Sequence, residues 1–256
     1  MHRFSVSCTV LLVLFLAASS GSVFADLPTH SQLRSALIRA RNESNGGLDL
    51  HMWATVLDRD GVVIAVAFTG SDRGDQWPGS RVISAQKANT ANAFSLPALA
   101  LSTANLFTAV QPGGSLFGLQ ESNPVNVSVA YGGDPDHYGQ VTDPMVGKRI
   151  GGVNVFGGGL ALYDSSGELI GAIGVSGDTS CADHNIAWKT RDYLRMDYVP
   201  DGVSPTGDDN IVNDISTAPG RATPSSASGW GHPECSPEAA RIGRNLTSTN
   251  PIGRGR

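Results

Sequence analysis

The sequence predicts an α+β fold: a central antiparallel β-sheet built from two hairpins, flanked by helices and followed by an irregular C-terminal tail. Three observations carry this expectation. Two stretches, "HMWATVLDRDGVVIAVAF" and "VNVFGGGLALYDSSGELIGAIGV", each hold two apolar runs around a polar turn that contains glycine. Segments with helical spacing precede, separate and follow them. After Tyr198 the composition shifts to Pro, Gly, Ser and Thr.

Taken in order, residues 29–42, "THSQLRSALIRARN", read as an amphipathic helix. Leu33, Leu37 and Ile38 line one side, with Thr29 or Ser31 as the cap. Strands 51–57 and 62–68 follow, joined by "DRDG". After the loop "GSDRGDQWPG", residues 80–94 form a helix of small apolar positions suited to close packing on a sheet. A second short helix is expected at about 97–109. Residues 131–152, "YGGDPDHYGQVTDPMVGKRIGG", carry no period and read as an inserted loop, and long irregular loops are often functional. Strands 153–163 and 169–175 come next, joined by "DSSGE". A helix then runs from about Ala182 to Tyr193. Helices must cover the sheet, and the sheet should hold roughly four to six strands. The tail, 199–256, is expected to be extended, and disordered beyond about 245.

The 256 residues are 40% hydrophobic and 16% charged, enough for one core, and the net charge is −5. An acidic chain neutralises phosphates poorly, which argues against a nucleic-acid partner. Residues 1–25 read as a signal peptide: a basic start, the apolar run "VLLVLFLA", then small residues at Val23 and Ala25. The run is too short to span a bilayer. The expected location is therefore secreted or periplasmic, with no transmembrane segment after signal removal. In such a compartment Cys181 and Cys235 most simply form one disulfide, and two unpaired thiols are the alternative.

Candidate chemistry concentrates in "GAIGVSGDTSCADHNIAWK", residues 171–189. Glycines inside a strand mark a close approach by a helix, a backbone or a ligand. The polar run behind them sits at a helix N-terminus, where it either caps the helix or favours an anion. His184 reads as a metal or haem ligand, a proton carrier or a plain surface residue. Asp134, Asp136 and His137 form a loose cluster that turn chemistry explains equally well. Lys87 either snorkels to solvent or reaches an anionic ligand. No nucleophile elbow, phosphate loop or HExxH is present. The CxxCH of covalent haem is also missing.

Three segments together, "VLDRDGVVIAVAF", "SAQKANTANAF" and "GGGLALYDSSGELIGAIGVSGDTSCADHNIAW", resemble the GlcG/HbpS family, also called the haem-degrading domain family. The likeness covers roughly residues 30–195, and so most of an expected domain at 26–198. It implies an antiparallel sheet flanked by helices, often in oligomers, and the binding of haem or related tetrapyrroles. Lys87, Ala88 and Thr90 match the family's K-A-x-T motif. Gly174, Ser176, Gly177 and Asp183 match its closing motif. Trp188 and Lys189 depart from the small residues usual after that aspartate, and the 131–152 insertion and the tail depart from the compact pattern.

The first functional reading is an exported protein that binds haem non-covalently, with a homo-oligomer as the expected partner state. Its binding residues are Lys87, Thr90, Ser176, Gly177, Asp183 and His184. The iron ligand would be His184, with His137 in reserve. The second is an enzyme acting on haem or a small organic acid through Asp183 and His184. The third is a non-catalytic structural or interaction module. No residue is assigned a catalytic role. The first reading requires the glycine-lined end of the second hairpin and the Lys87 helix to meet around an open cleft.

Overall fold

The computed structural model describes residues 27–216 and 225–253. The expected signal peptide lies outside them. The elements run α1 (His30–Arg41), β1 (Trp53–Asp58), β2 (Val63–Phe68), α2 (Ser80–Phe94), the single turns α3 (Leu119–Ser122) and α4 (Val127–Ala130), β3 (Gly159–Tyr163), β4 (Leu169–Ser176), α5 (Ser180–Tyr193), a short β5–β6 ribbon (Ile215–Ser216 and Ser225–Ser226), and α6 (Pro237–Thr249). Thr29, not Ser31, caps α1, and Gln32 returns the bond in a capping box.

The two hairpins join through β1 and β4, giving one antiparallel sheet in the order β2-β1-β4-β3. One face presents Ala54, Val56, Ala67, Leu162, Ile173 and Val175 to a core completed by Leu33 and Leu37 of α1, Ile186 and Trp188 of α5, and Leu246 of α6. The opposite face presents Leu57 and Ala172 to Ala88 and Ala91 of α2. The period-two alternation of strand side chains separates these two sets. The result is three layers: α2, the sheet, then α1, α5 and α6.

Three expectations are corrected. The helix expected at 97–109 is two 3₁₀ turns, Thr103–Leu106 and Thr108–Val110. Leu96 and Leu99 exchange backbone bonds in a tight reversal, so no helix can begin there. Secondly, β3 starts at Gly159 rather than 153. The backbone N–H groups of Asn154 and Gly157 donate to the hydroxyls of Thr90 and Ser180 instead of a strand ladder. Thirdly, the segment after 198 is not simply an extended tail. Residues 237–249 form α6, which packs on α5, and its Asn250 cap accepts the Trp188 indole N–H. The Pro, Gly and Ser content of the whole stretch masks its helix signals: Ser236 as a cap, Pro237 in the first turn, and the apolar spacing of Ala239, Ala240, Ile242 and Leu246.

Candidate ligand-binding site

The glycines of the closing motif mark close backbone approaches. A Cβ on Gly174 would be driven into the Ser84 carbonyl oxygen and would lie 2.6 Å from the Ala88 nitrogen, so α2 can rest on the sheet only where β4 has no side chain. Beside it, Thr55 of β1 bonds the Ser84 hydroxyl at 2.8 Å. Gly158 and Gly159 serve Lys87 in the same way. A Cβ on Gly158 would meet the Lys87 Nζ at 3.3 Å, and one on Gly159 would press on the Lys87 carbonyl.

Through this gap Lys87 reaches from the α2 layer to the α5 layer. Its Nζ donates to Asp183 Oδ2 at 2.7 Å and to the Val175 carbonyl at 3.0 Å. Asp183 Oδ1 accepts the Asp178 N–H at 2.8 Å. Lys87 is 1% exposed and Asp183 2%. Burial pulls the lysine down from its ordinary value, and Asp183 opposes the shift. Burial pushes the Asp183 carboxyl up to about 6, against the pull of Lys87. Thr90 donates to the Gln86 carbonyl and accepts from Asn154, tying α2 to the entry of β3. Ser176 and Gly177 close β4 against Trp53 and Met52.

The sequence therefore names residues that do come together, but they meet in a packed junction. The expected cleft is filled by Lys87 itself, and the outer side of α5 is covered by the segment after residue 198. His184 is fully buried. Its Nε2 accepts the Ile211 N–H at 3.1 Å and lies 3.2 Å from Asn210 Oδ1, while Nδ1 has no partner among the described residues. Burial, aided by Arg191, lowers its pKa to about 3, so the ring is neutral. The polar groups around it cap and fasten. Thr179 caps α5, and Asp178 accepts the backbone N–H of Leu48 and Leu50.

His137 stands exposed on a 3₁₀ turn, Pro135–His137, and bonds Thr142 Oγ1 at 2.6 Å. Asp134 accepts the Asp136 N–H, as turn chemistry expects, and Asp136 pairs with Arg73. Among the described residues, the one group of three metal-ligating side chains is Cys181, His232 and Cys235, and it includes neither His137 nor His184. The Sγ atoms of Cys181 and Cys235 are 2.04 Å apart, which is disulfide distance. His232, with its pKa lowered to about 4 by burial, bonds Ser180 at 2.7 Å.

An open space that the sequence did not indicate lies elsewhere. A cavity of about 340 Å³ is bounded by Trp53 of β1, by Pro78, Arg81 and Val82 at the start of α2, and by Tyr131, Pro135 and Tyr138 of the insertion, with Arg73 at its edge. A larger one, of about 530 Å³, opens beside Leu27, α1 and Tyr193. No local motif announces the first cavity. Its walls come from segments distant in the chain, and the one sequence feature near it is the long irregular insertion.

The family model described as "Haem degrading protein HbpS-like" matches residues 29–191. The match ends inside α5, before the segment that covers that helix. Among solved structures the chain is similar to Klebsiella pneumoniae protein ORFY, at 25% identity and TM-score 0.44, covering 64% of this chain and 86% of that one. It is similar to PduOC in its heme complex at 24% identity and TM-score 0.45, covering 65% and 94%. A double mutant of Streptomyces reticuli HbpS gives 18% identity and TM-score 0.41, covering 72% and 99%. No curated protein matches.

Proposed function

The chain belongs to the HbpS-like family of haem degrading proteins, and on that premise we propose that it binds a haem-related tetrapyrrole non-covalently. The family match, which spans both hairpins, α2 and most of α5, is the observation that carries this reading. The buried junction does not suit a macrocycle, because Lys87, Asp183 and His184 are packed with no space between them. We therefore assign Lys87, Thr90, Ser176, Gly177, Asp183 and His184 to holding α2, β4 and α5 in place behind the ligand. The lining of the 340 Å³ cavity suits a flat ring better: aromatic faces with arginine at the edge. The leader-like residues 1–25 and the cysteine pair at bonding distance favour a secreted or periplasmic protein. A homo-oligomer is part of the same proposal.

Titration of the purified protein with hemin tests it. Binding predicts a saturable Soret band at a position distinct from free hemin. A response no stronger than that of an unrelated acidic protein would refute the reading. Adding a reductant and dioxygen separates holding from turnover, since degradation removes the Soret band and releases iron. Light scattering on the same sample reads the oligomer.

A further inference from the structure

Arg73 and Arg81 both line the 340 Å³ cavity, but they are held in different ways. Arg81 is buried. It grips both carboxylate oxygens of Asp143, donates to the Ala130 carbonyl and stacks on the Tyr138 ring at 3.7 Å. Its charge is fully answered, and its role is to fix the wall. Arg73 is paired only at the surface, with Asp136 at 2.8 Å, and the two side chains are 42% and 78% exposed. Such a pair contributes little and exchanges readily. The cavity therefore has one rigid cation that is satisfied and one at the mouth that can turn to a new anion.

The walls show what that anion would be attached to. Tyr131 is 61% exposed at the mouth, and Trp53 lies at the base, edge-on to Phe68. Gly139, at φ +75°, lets the insertion close over Trp53 and Phe68, where any side chain would collide with their rings. The Trp53 indole N–H is buried and has no acceptor among the described residues, which is uncommon for a buried donor. At about 340 Å³ the space lies at the small end of the roughly 300–1,000 Å³ range of ligand pockets. It holds part of a macrocycle, not the whole of one.

We propose that this cavity receives the carboxylate-bearing edge of a planar aromatic ring system. The ring lies among Trp53, Tyr131 and Tyr138, and the acid is taken by Arg73 in exchange for Asp136. The inference rests on the tetrapyrrole reading and gives it a location. Because Tyr131, Pro135 and Tyr138 belong to the insertion, the ligand preference is a property of this chain's own loop.

The test uses calorimetry and tryptophan fluorescence with two probes, hemin and 2-naphthoate, the latter compared with its neutral amide. Arg73→Gln and Tyr131→Ala alter exposed side chains, so folding should persist, and circular dichroism checks it. The expected result is an about tenfold loss of hemin affinity in each variant, the scale of one charge-assisted contact. Naphthoate should outcompete its amide on the wild type and lose that advantage in Arg73→Gln. If hemin binds the wild type and both variants equally, the cavity assignment is overturned and the tetrapyrrole reading stands. If hemin fails but naphthoate binds through Arg73, the tetrapyrrole reading falls and the cavity remains a site for a smaller planar acid. If neither probe binds, both are overturned.

Discussion

Lys87 shows how one side chain can carry a layer contact. A lysine on a helix of small residues either snorkels or meets an anion, and here the anion is the protein's own Asp183. The pair is buried, so its value lies less in attraction than in the harm done by removing one partner. Lys87→Met should destabilise the fold by about 3–5 kcal/mol at pH 8 by leaving a desolvated carboxylate. The pH dependence has a definite sign. Asp183 already sits at about 6, above its ordinary 3.8, and losing Lys87 raises it further. A carboxyl raised in the folded state stabilises below its unfolded value and loses that contribution as pH rises through the folded one. The deficit of Lys87→Met should therefore be small near pH 5 and grow towards pH 8, and Asp183→Asn in the same background should recover much of it. Denaturant melts at the two pH values measure this; an equal deficit at both would mean that the pair is not what matters. His184 was legible as unusual, but its burial was not, because the residues that cover it lie 26 and 27 positions away.

At the scale of elements, the contact between β4 and α2 decides the architecture. The "GAIGV" glycines were readable as a close approach, but the identity of the neighbour was not. Gly174→Ala should cost about 3 kcal/mol or more, because the nearest atoms in its way are all backbone and α2 would have to lift. Gly79→Ala, at the cap of α2 with nothing within 4 Å, is the matched control and should be close to neutral. Comparable melting temperatures for the two would contradict the packing described. The hairpins were legible because period-two patterning and glycine turns are local signals. The stretch before β3 is not legible as irregular because hydroxyls on distant elements take its backbone donors. Nor does α5 look buried in sequence, being rich in polar groups. It is buried because most of their atoms are answered: Lys189 by Ser44 and Asn45, the Asn185 amide N–H by Asn45 and Ala239, and Arg191 by Asp209.

In the whole molecule, the region beyond the family match acts as an outer wrap. Asp209 pairs with Arg191 through two bonds of 2.7 and 2.8 Å, Ile211 seats His184, His232 bonds Ser180, and Cys235 of the wrap lies at bonding distance from Cys181 at the start of α5. A disulfide across 54 residues should contribute about 4 kcal/mol on the loop-entropy model. Cys235→Ser, or a dithiol reductant, should lower the melting temperature and make residues 199–236 the first to be cut by protease, because Cys235 is exposed. Unchanged melting and cleavage would mean that the Arg191–Asp209 pair and α6 hold the wrap without the sulfur link. A thiol count under denaturing conditions establishes the bond itself.

By itself the sequence determined the class of fold, the two hairpins, the helices beside them, the cluster around Lys87 and Asp183, and the family. All of these are written in spacings of a few residues or in motifs that keep their order along the chain. Only the tertiary structure decided that the cluster is closed, that the C-terminal region covers it, and that an aromatic cavity opens on the other side of the sheet under the insertion. Whether space between elements is empty or filled depends on side chains that are distant in the chain and adjacent only after folding.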